Sequence, residues 1–339
     1  AEHFLRCFEA GWPPYPIDCP VGDHVAWKSE SDPTAPQSIA VLRDDETMVV
    51  SMVIWIRRPL WFRGEERLIV DGCDLSVHPD WRMIRINDLR RTFNREHGFE
   101  VYDMTMKLLD AHPATRQMGL RNKAFGNKIV VFWKPNTVPD LIRVPYRNAG
   151  WRHALRVVGQ AVARAVRRPR LPVFAGHVEP LDRFDDRTDA VWEAAKSQFE
   201  FAIARTQDYL NWRYADPRAG RFELRAAVEG DQLIGYSVLK PTDTPALVAD
   251  ILVRPGRLDA LGALLQDAAR GASDRNVDLH CWMPGHHPYA GTLRALGFYD
   301  AGSDPSLRFN PFILTEDDLA FLTEPTTAVH ITHGDSDHI

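Results

Sequence analysis

Asp71-Gly72-Cys73-Asp74-Leu75-Ser76-Val77-His78-Pro79-Asp80-Trp81-Arg82-Met83-Ile84-Arg85-Ile86-Asn87 changes its hydrophobic period midway. Leu75 and Val77 alternate as on a strand, His78-Pro79 breaks the run, and Ile84, Ile86, Leu89 and Phe93 continue at helical spacing before Gly98. A strand that runs straight into a helix gathers unpaired backbone N–H groups and the positive end of a helix dipole at one point. That point suits a phosphate.

The same stretch returns downstream. Asp74-Leu-Ser-Val77-His-Pro79 is echoed by Asp250-Ile-Leu-Val253-Arg-Pro255, followed by an expected helix from Leu258 to Gly271. Working outward, Trp27-Lys28 and Asp32-Pro33 return as Trp212-Arg213 and Asp216-Pro217. His112-Pro113 and Gly119-Leu120 return as His287-Pro288 and Gly297-Phe298. An expected hairpin of strands 38–42 and 47–56 across Asp44-Asp45 matches strands 222–228 and 233–239 across Glu229-Gly230-Asp231. Spacings agree within a few residues except for an extra loop, Arg57 to Glu66, in the first copy, and a final strand is expected from Lys128 to Trp133. Self-similarity of this kind reports architecture, so the chain is expected to be two copies of one α/β unit with mixed sheets.

Between the copies the charge is uneven. The net charge is −5, yet from Asp140 to Glu179 there are eight arginines and no acidic residue. Within this segment a helix over 150–168 is expected, with the apolar stripe Trp151, Leu155, Val158, Val162 and Val166, and with Arg152, Arg156, Arg164 and Arg167 outside it. As a structural element it is a linker packed across the domain junction with a solvated basic face. As a functional one it is a basic wall for phosphates of a cofactor, a nucleic acid or anionic lipid. The expected organisation is an N-terminal domain over 1–140, an arginine-rich linker helix in 141–180, a C-terminal domain over 181–322 and a tail over 323–339.

Composition narrows the classes. At 339 residues, 45% hydrophobic and 26% charged, each copy has enough chain for its own core. The longest apolar run, Met48 to Ile56, is too short to span a bilayer, and Cys7, Cys19, Cys73 and Cys281 lack paired metal-type spacing. A cytoplasmic protein without a metal or a membrane span is therefore expected.

The Trp-Lys/Arg and Asp-Pro pairs, the Asp-Leu-x-Val-x-Pro stretch and the closing Gly297-Phe298 resemble the GNAT acyltransferase superfamily, in particular tandem GNAT proteins of bacterial polysaccharide and natural-product type. The resemblance covers nearly the whole chain. It implies an N-acyltransferase, of acetyl type in the first instance, that moves an acyl group from acetyl-CoA or another acyl-CoA to a small-molecule amine. In that family the pantetheine lies between the fourth and fifth strands and the pyrophosphate on the next helix N-terminus. Carried onto this sequence, the donor site comprises Val77, Arg82, Arg85, Ile86 and Asn87, with Val253 in the second copy. The departure is in the phosphate loop, where Arg85 and Asn87 stand at the two glycine positions and the second copy keeps only Gly256. Bulkier residues narrow the approach to backbone amides, while arginines supply side-chain contacts instead.

The candidate general bases are Asp74 and Asp250, at equivalent points of the fourth strands, against the bland role of a strand-end acid that bonds backbone or an arginine; His112, His286 and His287, beside the expected splay, either act as bases or shape their loops. The family's general-acid tyrosine is replaced by Thr115 and Leu293, which leaves Tyr289 as the better candidate, against packing as its bland role. Cys281 is either a nucleophile or a small buried hydrophobe. The tail His330-Ile-Thr-His333-Gly-Asp335-Ser-Asp337-His338 reads as a polar end beside a substrate groove rather than a metal site. Two alternatives stand beside acyl-CoA chemistry: transfer from an aminoacyl-tRNA or carrier-protein thioester docked at Arg152 and Arg156, and a degenerate pair of folds that binds without catalysing.

Overall fold

A computed structural model describes residues 19–30, 39–43, 49–78, 102–107, 123–137, 151–167, 171–242, 245–302, 306–309 and 315–336. Its strands are β1 (Ile39–Arg43), β2 (Val49–Phe62), β3 (Glu65–Val77), β4 (Tyr102–Lys107), β5 (Lys123–Ala124), β6 (Ile129–Lys134), β7 (His177–Leu181), β8 (Phe201–Ile203), β9 (Glu223–Glu229), β10 (Gln232–Lys240), β11 (Ala246–Val253), β12 (Leu279–Pro284), β13 (Tyr299–Asp300), β14 (Ser306–Phe309) and β15 (Val329–His330). Its α-helices are α1 (Val21–Glu30), α2 (Trp151–Arg167), α3 (Asp186–Ala195), α4 (Gln207–Leu210), α5 (Leu258–Asp274), α6 (Ala290–Ala295) and α7 (Glu316–Thr323).

These strands form two mixed sheets. The first runs β15-β8-β2-β3-β4-β14-β5, with β1 also on β2, and the second runs β13-β6-β12-β11-β10-β9-β7. Each sheet takes a strand from the other repeat. β6, which ends the first copy, lies between β12 and β13; β14, which ends the second, lies between β4 and β5. A central strand needs partners on both edges for its N–H and C=O groups, so each copy leaves a gap that the other fills.

The extra Arg57–Glu66 stretch is the tip of a long hairpin rather than a loop. β2 and β3 stay paired out to Phe62↔Glu65, and Arg63 and Gly64 turn the chain with positive φ of 53° and 88°. The extension has an architectural use. Its Leu60–Phe62 pairs with Ile203–Phe201 of β8, which in turn pairs with β15, drawing the C-terminal segment onto the first sheet.

The repeated tryptophans meet face to face. The Trp27 and Trp212 rings stack at 4.9 Å and 19°, the Trp27 indole N–H donates to the Trp212 carbonyl (2.7 Å), and the Trp212 indole N–H donates to the Trp27 carbonyl (3.3 Å). Equivalent residues exchanging equivalent bonds mark a pseudo-two-fold relation between the copies. Around them one apolar core runs continuously through both halves, from Ile54, Phe62 and Trp133 to Trp192, Tyr236, Leu252 and Trp282. A second core packs α5, through Leu261, Leu264 and Leu265, with Ile251 and Met283 of the second sheet and Phe298 just before β13.

The linker helix α2 departs from expectation. Its apolar stripe is exposed, and contact with the second sheet is made by Val157, Ala161 and Gln160, whose side chain accepts from the backbone N–H of Asp300 in β13. β13 spans two residues at a sheet edge, too little surface to cover a five-residue stripe.

Candidate functional site

The central strands β3 and β11 carry the same irregularity at equivalent aspartates. Between Met52↔Ser76 and Ile54↔Cys73 the register skips, so that β3 holds an extra residue at Asp74-Leu75. Between Val238↔Asp250 and Leu239↔Val248 the register likewise skips, placing the extra residue of β11 at Ala249-Asp250. Bulges of this kind bend a strand and re-aim its side chains. Each strand also leaves its parallel neighbour early: β3 pairs with β4 at Ile69↔Tyr102 and Val70↔Asp103, and β11 pairs with β12 from Ala246↔Leu279 to Val248↔Cys281. Beyond those points the strands part, which frees one edge of each aspartate-bearing segment.

In the C-terminal half the parting is filled by the protein itself. Asp250 is fully buried; its Oδ2 accepts from Arg205 Nε (3.2 Å) and the Tyr214 hydroxyl (3.4 Å), and its Oδ1 accepts from the Ile251 N–H (2.8 Å). Arg205, equally buried, also donates through Nη2 to Asp335 Oδ2 at 2.5 Å and through Nη1 to the Ile203 carbonyl at 2.5 Å. Burial raises the Asp250 pKa above the ordinary carboxylate value, opposed by the Arg205 guanidinium. Although burial works against the charge on Arg205, Asp250 and Asp335 hold its pKa well above normal, so it is the fixed cation of the cluster.

Three of the four catalytic candidates converge here. Burial, aided by Arg205, lowers the His330 pKa to about 3, and burial with neighbouring His330 and His286 takes His287 well below its usual value. Both rings are therefore neutral near pH 7. Because His287 Nδ1 accepts from the Tyr289 N–H (3.1 Å), its proton sits on Nε2, which donates to His330 Nδ1 (3.0 Å). His330 Nε2 then carries the second proton and faces Asp250 Oδ1 at 3.8 Å. The Tyr289 hydroxyl accepts from the Val253 N–H (3.1 Å) and lies 3.4 Å from the Val253 carbonyl oxygen, so the Val253 amide is already satisfied. Phe199 stacks on His287 and packs against His330, closing the cluster from the side.

The filling segment is 329–336. After β15 the chain forms a 3₁₀ turn, His333–Asp335, in which Thr332 and Asp335 cap each other, and the His333 ring stacks on Trp282 at 3.5 Å. Three arginines hold it: Arg205 on the Asp335 carboxylate, Arg213 on the carbonyls of Gly334 (3.2 Å) and Ser336 (3.0 Å), and Arg58 from β2 on the Asp335 carbonyl (2.7 Å). Gly334 is required by close approach, since a Cβ there collides with the Tyr214 hydroxyl and lies 2.9 Å from the Ala249 carbonyl oxygen.

The N-terminus of α5, where the repeat predicts a phosphate position, is also engaged. Arg257 donates to Asp259 (3.0 and 2.9 Å) and to Glu229 (2.7 Å), placing carboxylates of the chain at this helix end. The bond from Arg257 holds Asp259 below the ordinary carboxylate range, so the negative charge persists. An incoming phosphate would meet those carboxylates first.

In the N-terminal half Asp74 and Val77 lie on β3 at and beyond its bulge, while Arg82, Arg85, Ile86 and Asn87 lie outside the described residues, as does His112. Cys281 is buried and burial pushes its thiol pKa up, so it remains a protonated hydrophobe. His286 Nε2 bonds the Thr327 carbonyl (3.1 Å) and shapes its turn. Among the described residues, no group of three or more His, Cys, Asp or Glu side chains is arranged to hold a metal, and no helix is long and apolar enough to cross a membrane. Arg205 was not among the sequence candidates. A single arginine in the apolar run Phe201-Ala-Ile-Ala-Arg205 is the signal that would have found it, because a buried cation demands buried carboxylates.

No family model and no curated protein matches the chain by sequence. Solved structures do match. N-myristoyltransferase of Saccharomyces cerevisiae with bound myristoyl-CoA aligns over 91% of this chain and 74% of its own, at 13% identity and a TM-score of 0.57. A GCN5-related N-acetyltransferase from Anabaena variabilis aligns over 91% and 69%, at 11% identity and a TM-score of 0.55. One from Kribbella flavida aligns over 91% and 67%, at 14% identity and a TM-score of 0.54. Identities this low carry the fold and not the chemistry. By its architecture the chain shares the fold of these solved structures.

Proposed function

We propose that the protein is an N-acyltransferase that takes an acyl group from an acyl-CoA thioester to a small-molecule amine, with its donor in the N-terminal half, where β3 and β4 part. The observation that carries this is the bulge at Asp74 beside that parting, set against an equivalent place at Asp250 that is already filled by residues 329–336. Similarity to structures titled as N-acyltransferases, one with myristoyl-CoA bound, supports the reaction class.

In this reading the thioester lies along the free edge of β3 beyond Val70, with Val77 beside it. Arg82 and Arg85, with Ile86 and Asn87, form the phosphate end, side-chain cations standing in for the small residues that would otherwise admit backbone amides. Asp74, directly or through one water, takes a proton from the acceptor ammonium. The freed amine attacks the thioester carbonyl, a strand N–H steadies the developing oxyanion, and collapse breaks the C–S bond and expels the CoA thiolate, which takes the proton that the attacking nitrogen gives up as the amide forms. The Asp250-His330-His287-Tyr289 relay holds the C-terminal half shut.

Titration with acetyl-CoA and longer acyl-CoAs, followed by hydrogen exchange of the complexes, tests both parts. Saturable heat with protection of residues 71–98 supports the proposal. Protection confined to 247–271 reverses the choice of half, and no heat with any acyl-CoA removes the acyl-CoA reading.

A further inference from the structure

The stripe of α2 has no place in acyl transfer and none in the core. Trp151, Leu155, Val158, Val162 and Val166 are 70, 61, 55, 57 and 78% exposed, while Val157 on the opposite side is buried. Five such residues in line present an apolar strip on the order of 500 Å², at the upper end of what soluble monomers expose.

The charge around this strip is of one sign. In the sequence eight arginines fall between 143 and 170, four of them within α2, with no acidic residue from 141 to 178, in a chain whose net charge is −5. The first turn of α2 holds no acidic residue and includes Arg152, against the preference of a helix dipole. This pattern gives up helix stability for positive charge. The helix is 17 residues long, about 25 Å at 1.5 Å per residue, and it carries several arginines, so it suits lying in a membrane surface rather than crossing it.

We propose that α2 is an in-plane membrane anchor that docks on anionic phospholipid, with Leu155, Val158, Val162 and Val166 entering the acyl boundary and the arginines meeting the headgroups. Trp151 at one end of the strip has the amphipathic ring that favours the interface. Charge complementarity selects this occupant: RNA would use the arginines and leave the valines in water, whereas an anionic bilayer takes both. The chain would otherwise be repelled by such a surface, so a single basic helix also fixes its orientation. The proposal is independent of the acyltransferase reading.

Flotation of the full chain with vesicles tests it. The wild type should float with phosphatidylcholine vesicles containing phosphatidylglycerol, less so as salt is raised, and not with phosphatidylcholine alone. Val158→Asp with Val162→Asp, both on exposed positions, should lower vesicle affinity by roughly tenfold or more at an unchanged melting temperature. Arg152→Glu with Arg156→Glu should do the same and leave little salt dependence. Absence of wild-type flotation, or equal flotation of the valine double variant, overturns the proposal. So does light scattering that shows a wild-type dimer broken by the valine substitutions, since the strip would then join two copies.

Discussion

β3 and β11 are built alike. Both bulge at an aspartate and both leave a parallel neighbour, yet beyond β11 the space holds Arg205, His330, Asp335 and the 3₁₀ turn. After these strands the second copy sets Arg257 between two carboxylates, whereas the first copy's sequence places Arg82 and Arg85 between Asp80 and Asp88. Duplication gives two potential sites. In the second copy the place is taken by a buried polar wedge that fastens the end of the chain, and the proposed chemistry rests with the other.

The sharpest way to break this comparison is to remove the same carboxylate from each copy. Asp74→Asn should cost about 10²- to 10⁴-fold in kcat for acyl transfer with little change in melting temperature, as expected for a general base. Asp250→Asn should act on stability first, with kcat per folded molecule near wild type. Equal kcat losses would show that the wedge takes part in turnover. Next, Arg205→Leu leaves Asp250 and Asp335 buried without their cation, and chemical denaturation should register a loss of about 3–5 kcal/mol. Gly334→Ala forces the tail off Tyr214 and Ala249, a loss of about 1–3 kcal/mol seen in thermal melts, together with faster hydrogen exchange over 329–336.

A further effect is on pH dependence. His330 has a folded pKa of about 3 against an unfolded value near 6.5, so the unfolded state binds the proton first as pH falls. Its contribution to stability is complete above about pH 6.5 and is lost as pH falls toward the folded value, at about 1.4 kcal/mol per pH unit. Asp250, with a raised folded pKa, works in the opposite sense, its contribution being full at low pH and lost as pH rises through its folded value. His330→Gln should flatten the slope of stability between about pH 6.5 and 4, measured by urea titrations; an unchanged slope would place the acid sensitivity outside the wedge.

Much of this architecture was legible because repetition is a property of sequence. The hairpin spacing, the paired Trp27 and Trp212, and the twin Asp-x-x-Val-x-Pro stretches each name an element that the structure contains. The strand exchange was not legible, since β6 is a short apolar run and β14 a four-residue alternation, and neither pattern says which sheet will take it. Nor was the extended hairpin, where Arg57-Arg58-Pro59 breaks the alternation that marks a strand although β2 runs through it. At the site, Asp250, His287 and Tyr289 were named singly, but their joining into one relay depends on His330, which arrives from 43 residues beyond His287. The direction of the α2 stripe could not be foreseen because amphipathicity reports a face and not what covers it.

The exchange of β6 and β14 sets a timetable for synthesis. On the ribosome β4 emerges roughly 200 residues before β14, and at about 5–20 residues per second it waits some 10–40 s for the strand that covers its edge. β6 meets the same delay in mirror image, since it must be held until β12 and β13 exist to receive it. The second sheet is complete only once residues 299–300 are out and the first only once residues 329–330 are, so both halves commit late. A nascent chain of this kind exposes an unpaired strand edge for most of its translation, and chaperone demand is therefore written into its topology.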